Sequence, residues 1–341
     1  MEIKKINKLL LGIFVLHVVI VALMTVFPDA FQIGIILNLS LGEVILFVPT
    51  LVYLFFWVKS ASVRNQEYQY RNLHVDEINC DTSDAQLFIV PKETIWQRLH
   101  FNNVRPSTFL YVLLFTWLSM PLTTLINAIS MLFVDNTVVS LSEYMLEIPF
   151  PIMMFLMAVT PAFCEEIVFR GVVYGGYRRG GNKFWAVILS GFMFGIMHMN
   201  LNQALYAFAI GILLALLLEA TDCIVTTMLF HFIYNSQSCC LMYLAEAMMP
   251  GYYAEVANAA VSQEELYMMI SVYVVIAAIC TPLAICLLYK IAKNENRVEQ
   301  LKETLPGRQE GKAKIATLSY ILASVVAIGY IIYDIITVKL F

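Results

Sequence analysis

Charge is what this sequence has least of. Asp, Glu, Lys and Arg make up 13% of its 341 residues, against 60% hydrophobic residues and a mean hydropathy of +0.76. A soluble domain carries about twice that share of charge. A soluble fold of this composition would lack the polar surface to cover its core, and the apolar excess also excludes disorder and a collagen-like chain. A basic excess is missing too: the formal net charge of −4 argues against nucleic acid as a partner. The seven cysteines, at positions 80, 164, 223, 239, 240, 280 and 286, are odd in number, show no metal-ligand spacing, and all but Cys80 fall in apolar runs. They read as reduced packing residues, not as a disulfide scaffold. There is no internal repeat, no low-complexity tract, no Gly-x-Ser-x-Gly turn and no His-Glu-x-x-His helix. The signatures of a serine hydrolase and of a zincin are therefore absent. Strict apolar–polar alternation is lacking, and with it the pattern of a transmembrane barrel.

What the sequence does have is nine continuous apolar runs, over residues 9–27, 35–58, 108–134, 148–177, 184–199, 203–219, 222–245, 267–289 and 315–338. About 20 residues of helix cross a bilayer core, so the expected fold is all-α: a polytopic transmembrane helix bundle. The fourth run carries charge and the fifth is short, so neither stands on hydropathy alone. The first run has no small-residue cleavage site after it and reads as a retained helix, not a signal peptide. Nineteen of the twenty-one Lys and Arg residues fall in four segments: the N-terminal tail, a 59–107 loop, the 178–183 turn and a 290–314 linker. Nine spans put all four on one side, which the positive-inside bias makes cytoplasmic. The opposite connections hold Asp29, Asp135, Glu143, Glu147, Glu246, Glu255, Glu264 and Glu265 without a base. The expectation is an integral protein of the plasma membrane, with a cytoplasmic N-terminus and the C-terminus outside.

The chain divides into N-terminal helices over 1–144, including the 59–107 loop; a central core over 145–245; and C-terminal helices over 246–341, including the 290–314 linker. The linker carries Pro306 and Gly307, and the ninth helix after it reads as an addition to a separate eight-helix body. Within the 59–107 loop, Ile95, Trp96 and Leu99 fit a single helical turn lying on the membrane surface, and an ordinary solvated loop fits equally.

An ionisable residue at the centre of a membrane helix costs at least about 2.5–3.5 kcal/mol on insertion, which makes it a functional candidate by default. The candidates here are Glu165, Glu166 and Arg170 in run four, His198 at the end of run five, and His231 with Asn235 in run seven. Glu166 and Arg170 are four residues apart with the acid first, the favourable order for a helical ion pair. Glu165 is turned about 100° away from Glu166 and is left without a helical partner, a disposition that suits a general base. Glu165 and His198 each lie roughly 25 Å along their helices from the Gly180–Gly181 turn, so an antiparallel hairpin brings them to one level. His231 and Asn235 share a helical face at comparable depth, and the expected opening is toward the cytoplasm or inner leaflet. Two small-xxx-small pairs, Gly171 with Gly175 and Gly191 with Gly195, fit close helix packing. Each feature alone has a structural explanation: an ion pair, a packed imidazole, an interhelical amide. Their convergence on one level points to chemistry.

The pattern Glu165-Glu166-x-x-x-Arg170, then Phe194-x-x-x-His198, then His231-x-x-x-Asn235 resembles the CPBP family of intramembrane glutamic endopeptidases, the CAAX-protease, bacteriocin-processing or Abi proteins. Phe169 and Gly171 also suit the family, and the similarity covers roughly residues 145–245. The resemblance implies an eight-helix CAAX-protease-like body, with the ninth helix as an extra. It implies hydrolysis of a peptide bond by water, with Glu165 as general base assisted by His198. His231 and Asn235 would form the oxyanion hole, with Glu166, Arg170 and Phe194 in support. No cofactor is implied and zinc is not expected, since the histidines stand on different helices. The implied partner is a membrane-embedded or lipid-modified peptide or protein. A zinc protease remains a competing class, as does a transporter or scaffold using the same cluster as a proton relay. The lack of an inverted repeat counts against the transporter.

Overall fold

The computed structural model describes residues 2–27, 34–75, 94–258, 262–307 and 313–340. Asp29, Cys80, and parts of the 59–107 and 290–314 segments lie outside the described residues. Where water is absent every backbone polar group must be satisfied within its own segment, and each of the nine apolar runs is helical. The long helices are α1 (Glu2–Val26) and α2 (Ile35–Val75), then, after the short α3 (Ile95–Arg98), α4 (Pro106–Ser130). A short α5 (Thr137–Leu146) leads to α6, a 31-residue helix over Phe150–Gly180. Next come α7 (Lys183–Ile196), α8 (Leu201–Thr221), α9 (Ile224–Met248), the short α10 (Tyr252–Asn258), α11 (Gln263–Asn294), the short α12 (Val298–Lys302) and α13 (Leu318–Leu340). Among the described residues there is no strand.

Seven of these helices, α1, α2, α4, α6, α8, α11 and α13, are long and apolar enough to cross a membrane. The chain is an integral membrane protein. The α7 helix is too short at 14 residues, and α9 is diluted by His231, Asn235, Gln237 and the hydroxyls of Thr226, Thr227, Ser236 and Ser238 among its 25 residues. Large apolar side chains on the outer faces, Phe55, Val275 and Ile279 among them, are exposed, as expected of a surface whose solvent is lipid.

Two expectations need correction. The 59–107 segment is not loop throughout, because α2 continues as helix to Val75. The ninth helix is not an appendage. Tyr320, Ala323, Ala327 and Ile331 of α13 belong to the same buried core as Ile6, Leu10 and Phe14 of α1. The Asn7 amide donates to Ile315 O and Thr317 Oγ1, both at 2.9 Å. The single turn expected at Ile95–Leu99 is present as α3, closed by a capping box between Thr94 and Gln97. Of its three apolar residues Trp96 is exposed, Ile95 is half-buried and Leu99 is buried.

The basic segments gather at one end of the bundle. Glu2 pairs with Arg98 and Arg179, Lys183 with Glu303, Arg297 with Asp222, and Ala313 N bonds Gly180 O. Between them lies a network invisible in the sequence. Arg178 bridges Glu219 Oε1 and Asp222 Oδ1, each at 2.7 Å, and Tyr174 donates to the same Glu219 oxygen at 2.9 Å. Burial alone would raise the Asp222 carboxyl, but the hydrogen bond to His100 and the charge of Arg178 outweigh it and hold the carboxyl well below its usual range.

Candidate active site

The site is built on α6, whose path is irregular where it matters. Pro161 has no N–H to give the preceding turn, and the helix opens into a wide, π-type turn over Phe155–Val159. Thr160 Oγ1 donates to Phe155 O there at 2.9 Å. Regular α geometry returns for Thr160–Glu166 and gives way to a second wide stretch over Ile167–Tyr174, which holds Gly171 and no proline. Wide turns of this kind recur beside functional residues. The two glutamates thus stand on a short regular segment between two widened ones.

The expected Glu166–Arg170 pair forms, with Arg170 Nη1 donating to Glu166 Oε1 at 2.9 Å and both side chains withdrawn from solvent. The same oxygen also accepts from His231 Nδ1 at 2.9 Å. No sequence signal announces this second bond, which joins residues 65 positions apart. It fixes the imidazole: an ionised carboxylate can only accept, so Nδ1 carries the proton and Nε2 faces the cavity. His231 Nε2 lies 3.9 Å from Glu165 Oε2. The Arg170 guanidinium is stacked 4.2 Å above the Phe194 ring, a favourable cation–π placement. Phe194 in turn meets Phe169, His198 and His231 edge-on, with centroids 5.1, 5.4 and 6.0 Å away. It is the aromatic hub on which the cation and both imidazoles rest.

His198 Nδ1 lies 3.0 Å from Phe194 O. A carbonyl only accepts, so this nitrogen is the donor and the neutral ring presents Nε2 as an acceptor. Asn235 forms no hydrogen bond among the described residues and lines the cavity with its neighbours. That cavity, about 420 Å³, is bordered by Glu165, Phe194, His198, His231 and Asn235 together. The chain therefore brings together every residue the three motifs single out, with Glu166 and Arg170 buried just behind. Among the described residues no three His, Cys, Asp or Glu side chains are arranged to hold a metal ion.

Glycine placement is half as expected. Gly191 and Gly195 of α7 do face α8: a Cβ on Gly195 would fall 2.6 Å from Ala204 O, and one on Gly211 would fall 2.7 Å from Gly191 Cα. This contact seats Phe194 and His198. Gly171 and Gly175 instead face mainly Leu99 and His100 of the α3–α4 connection, with Ile224 at the start of α9 also beside Gly171.

The lining of the cavity locates it along the bundle. The cavity is bordered by Thr124 and Asn127 late in α4, by Asn136, Val138 and Val139 at the start of α5, and by Tyr253 of α10. These lie at the end of the bundle opposite the basic segments. The basic end is occupied by the Arg178–Glu219–Asp222 network.

A carboxylate missed by sequence reading borders the cavity as well. Glu43 of α2 lines it beside Glu165. The signal was present, a lone acid inside an otherwise apolar run.

Replacing Glu166 by Gln is expected to leave Arg170 without its counter-charge and to cost about 3–5 kcal/mol, as breaking a buried pair does. Thermal unfolding in detergent should show a large drop. The double variant Glu166→Gln/Arg170→Met should regain most of it. An unshifted melting curve in the single variant would show that the pair adds nothing to the fold.

The family model described as Type II CAAX prenyl endopeptidase Rce1-like matches residues 147–237, the span from the start of α6 past Asn235. The Bacillus subtilis (strain 168) protein named "Putative membrane peptidase YdiL" is 30% identical over 86 residues, which is 25% of this chain and 35% of that protein. The chain thus covers about a third of the length of that relative. No solved structure matches the chain. Over the helices that carry its three motifs, the chain is similar to CAAX-protease-like membrane peptidases.

Proposed function

We propose that the protein is an intramembrane glutamic endopeptidase that hydrolyses a peptide bond of a membrane-associated peptide or protein with an activated water. The observation that carries the reading is the convergence of Glu165, His198, His231 and Asn235 on one cavity between helices. Peptide hydrolysis without a covalent nucleophile needs a base for the water, a proton for the leaving amine and donors for the developing oxyanion. Glu165 borders the cavity and takes the proton of the water. His198 Nε2, free to accept, holds the second hydrogen of that water. The water oxygen adds to the carbonyl carbon, and Glu165 returns its proton to the amine nitrogen as the C–N bond breaks. Asn235 donates to the oxyanion at any pH. His231, whose Nδ1 proton is engaged by Glu166, donates from Nε2 only as the imidazolium. The Arg170–Glu166 pair and the Phe194 ring hold that imidazole.

The test is mass spectrometry of peptides released from membranes holding the wild-type chain or Glu165→Gln. Cleavage products confined to the wild type, and undiminished by strong chelators, support the reading. Products that vanish with the chelator would favour a zinc protease, and proton-coupled solute flux in liposomes would favour the transporter.

The side of entry is the second part of the proposal. With the basic end cytoplasmic by the positive-inside bias, the cavity opens on the outer side. This favours peptides presented at the outer leaflet over a prenylated tail held at the inner one. A cysteine placed at Asn182 should be labelled by an impermeant maleimide only from the cytoplasmic side, and one at Gln263 only from outside. The reverse pattern would invert the topology and restore the inner leaflet as the source of substrate.

A further inference from the structure

Glu43 is the buried acid that the mechanism above leaves unused. It stands on α2, which is held against α6 by the Phe47–Phe163 ring contact, with centroids 6.1 Å apart. Its carboxyl group lies within hydrogen-bond reach of the Glu165 carboxyl. Yet Glu43 Oε2 and Glu165 Oε2 are both sealed from solvent and have no donor among the described residues. Both residues border the large cavity and also a second one of about 170 Å³, which His17 of α1 and His198 line too. The glutamate pair is thus the wall between the two cavities.

Two carboxylates in contact inside a low-dielectric site cannot both remain ionised. The groups that face Glu43 are Glu165 and Cys164 of α6, His231 of α9, and His17 and His198 across the second cavity. The nearby cation, Arg170, gives Nη1 to Glu166 and lies over the Phe194 ring, and its buried Nη2 makes no hydrogen bond to either acid. A proton between the two acids supplies the donor that both lack.

We propose that Glu43 and Glu165 share one proton as an acid–carboxylate pair, with Glu43 the positioning residue that fixes the base oxygen of Glu165 toward the water. The inference rests on Glu165 being the base. The shared proton is not consumed. Glu165 gains one proton from the water as the new C–O bond forms and loses it to the amine nitrogen as the C–N bond breaks, while Glu43 keeps its own throughout.

The test uses the full chain purified in detergent. Its infrared spectrum at neutral pH should hold the carbonyl band of a protonated carboxylic acid, and that band should be lost in Glu43→Gln. Turnover is followed on a fluorogenic farnesylated CAAX peptide and on its unprenylated counterpart. Glu43→Gln keeps a neutral donor next to Glu165 and should stay close to wild type. Glu43→Leu removes the donor and should lower kcat by about 100-fold at unchanged KM, the scale of a misplaced catalytic group. Absence of the band in the wild type, its persistence in Glu43→Gln, or equal activity of the Gln and Leu variants would overturn the proposal. The infrared arm needs no substrate. Failure to cleave either peptide would therefore count against Glu165 as base while the shared proton is still decided.

Discussion

Glu165→Gln should abolish turnover without harming the fold. The amide keeps the shape of the side chain but cannot accept a proton from water, and loss of a general base lowers the rate by at least about 100-fold. Most substitutions of buried charge destabilise, because a partner is left behind. Here the partner is another acid. Glu165 Oε2 has no donor to lose, and the amide nitrogen supplies one to Glu43. The melting temperature in detergent should therefore hold steady or rise while activity disappears. Retained turnover would remove Glu165 from the chemistry. A dead protein that has also lost its cooperative melt would show that Glu165 serves the fold, and a folded but inactive Glu166→Gln would reverse the roles of the two neighbours.

The second large effect concerns Asn235. It is half-buried, lines the cavity and has no partner among the described residues, so its amide is available to a ligand. If it donates to the tetrahedral oxyanion, Asn235→Ala should lower the rate constant by about 10²–10³, as loss of one such donor does. Substrate binding should change little, since the charge it meets exists only in the transition state. His231 cannot simply take over, because its Nδ1 is bonded to Glu166 at 2.9 Å. Pre-steady-state cleavage of bound peptide distinguishes the outcomes. A variant that binds poorly but cleaves what it binds at the normal rate would make Asn235 a substrate-positioning residue and leave the oxyanion without its amide donor.

Much of the architecture was legible because a bilayer permits few alternatives: a continuous apolar run must be a helix, and each of the nine is one. The level of Glu165 and His198 followed from rise per residue and from the turn at Gly180–Gly181. The Glu166–Arg170 pair followed from helical spacing. Contacts between helices were not legible in this way. That His231 would bond Glu166, that Gly171 would meet Leu99, and that the ninth helix would lie on the first all depend on how cylinders pack, which hydropathy does not encode. Other features were readable and passed over. Glu43 in run two and Glu219 near the end of run six are lone acids in apolar stretches, candidates by the same rule that selected Glu165. The expected opening weighed the nearest turns and not the distance from them. Roughly 25 Å from the basic Gly180–Gly181 turn is most of the way across a bilayer core of about 30 Å.

The bond from Asn7 to Ile315 and Thr317 joins residues 308 and 310 positions apart. In synthesis, it means that α1 leaves the ribosome long before the segment it bonds, which follows 308 to 310 residues later. Until then Ile6 and Asn7 can settle on Gly176 and Tyr177 of α6, while the face that meets α13 is covered by lipid or by a chaperone. The seam between α1 and α13 therefore closes late relative to the contacts α1 makes with α6.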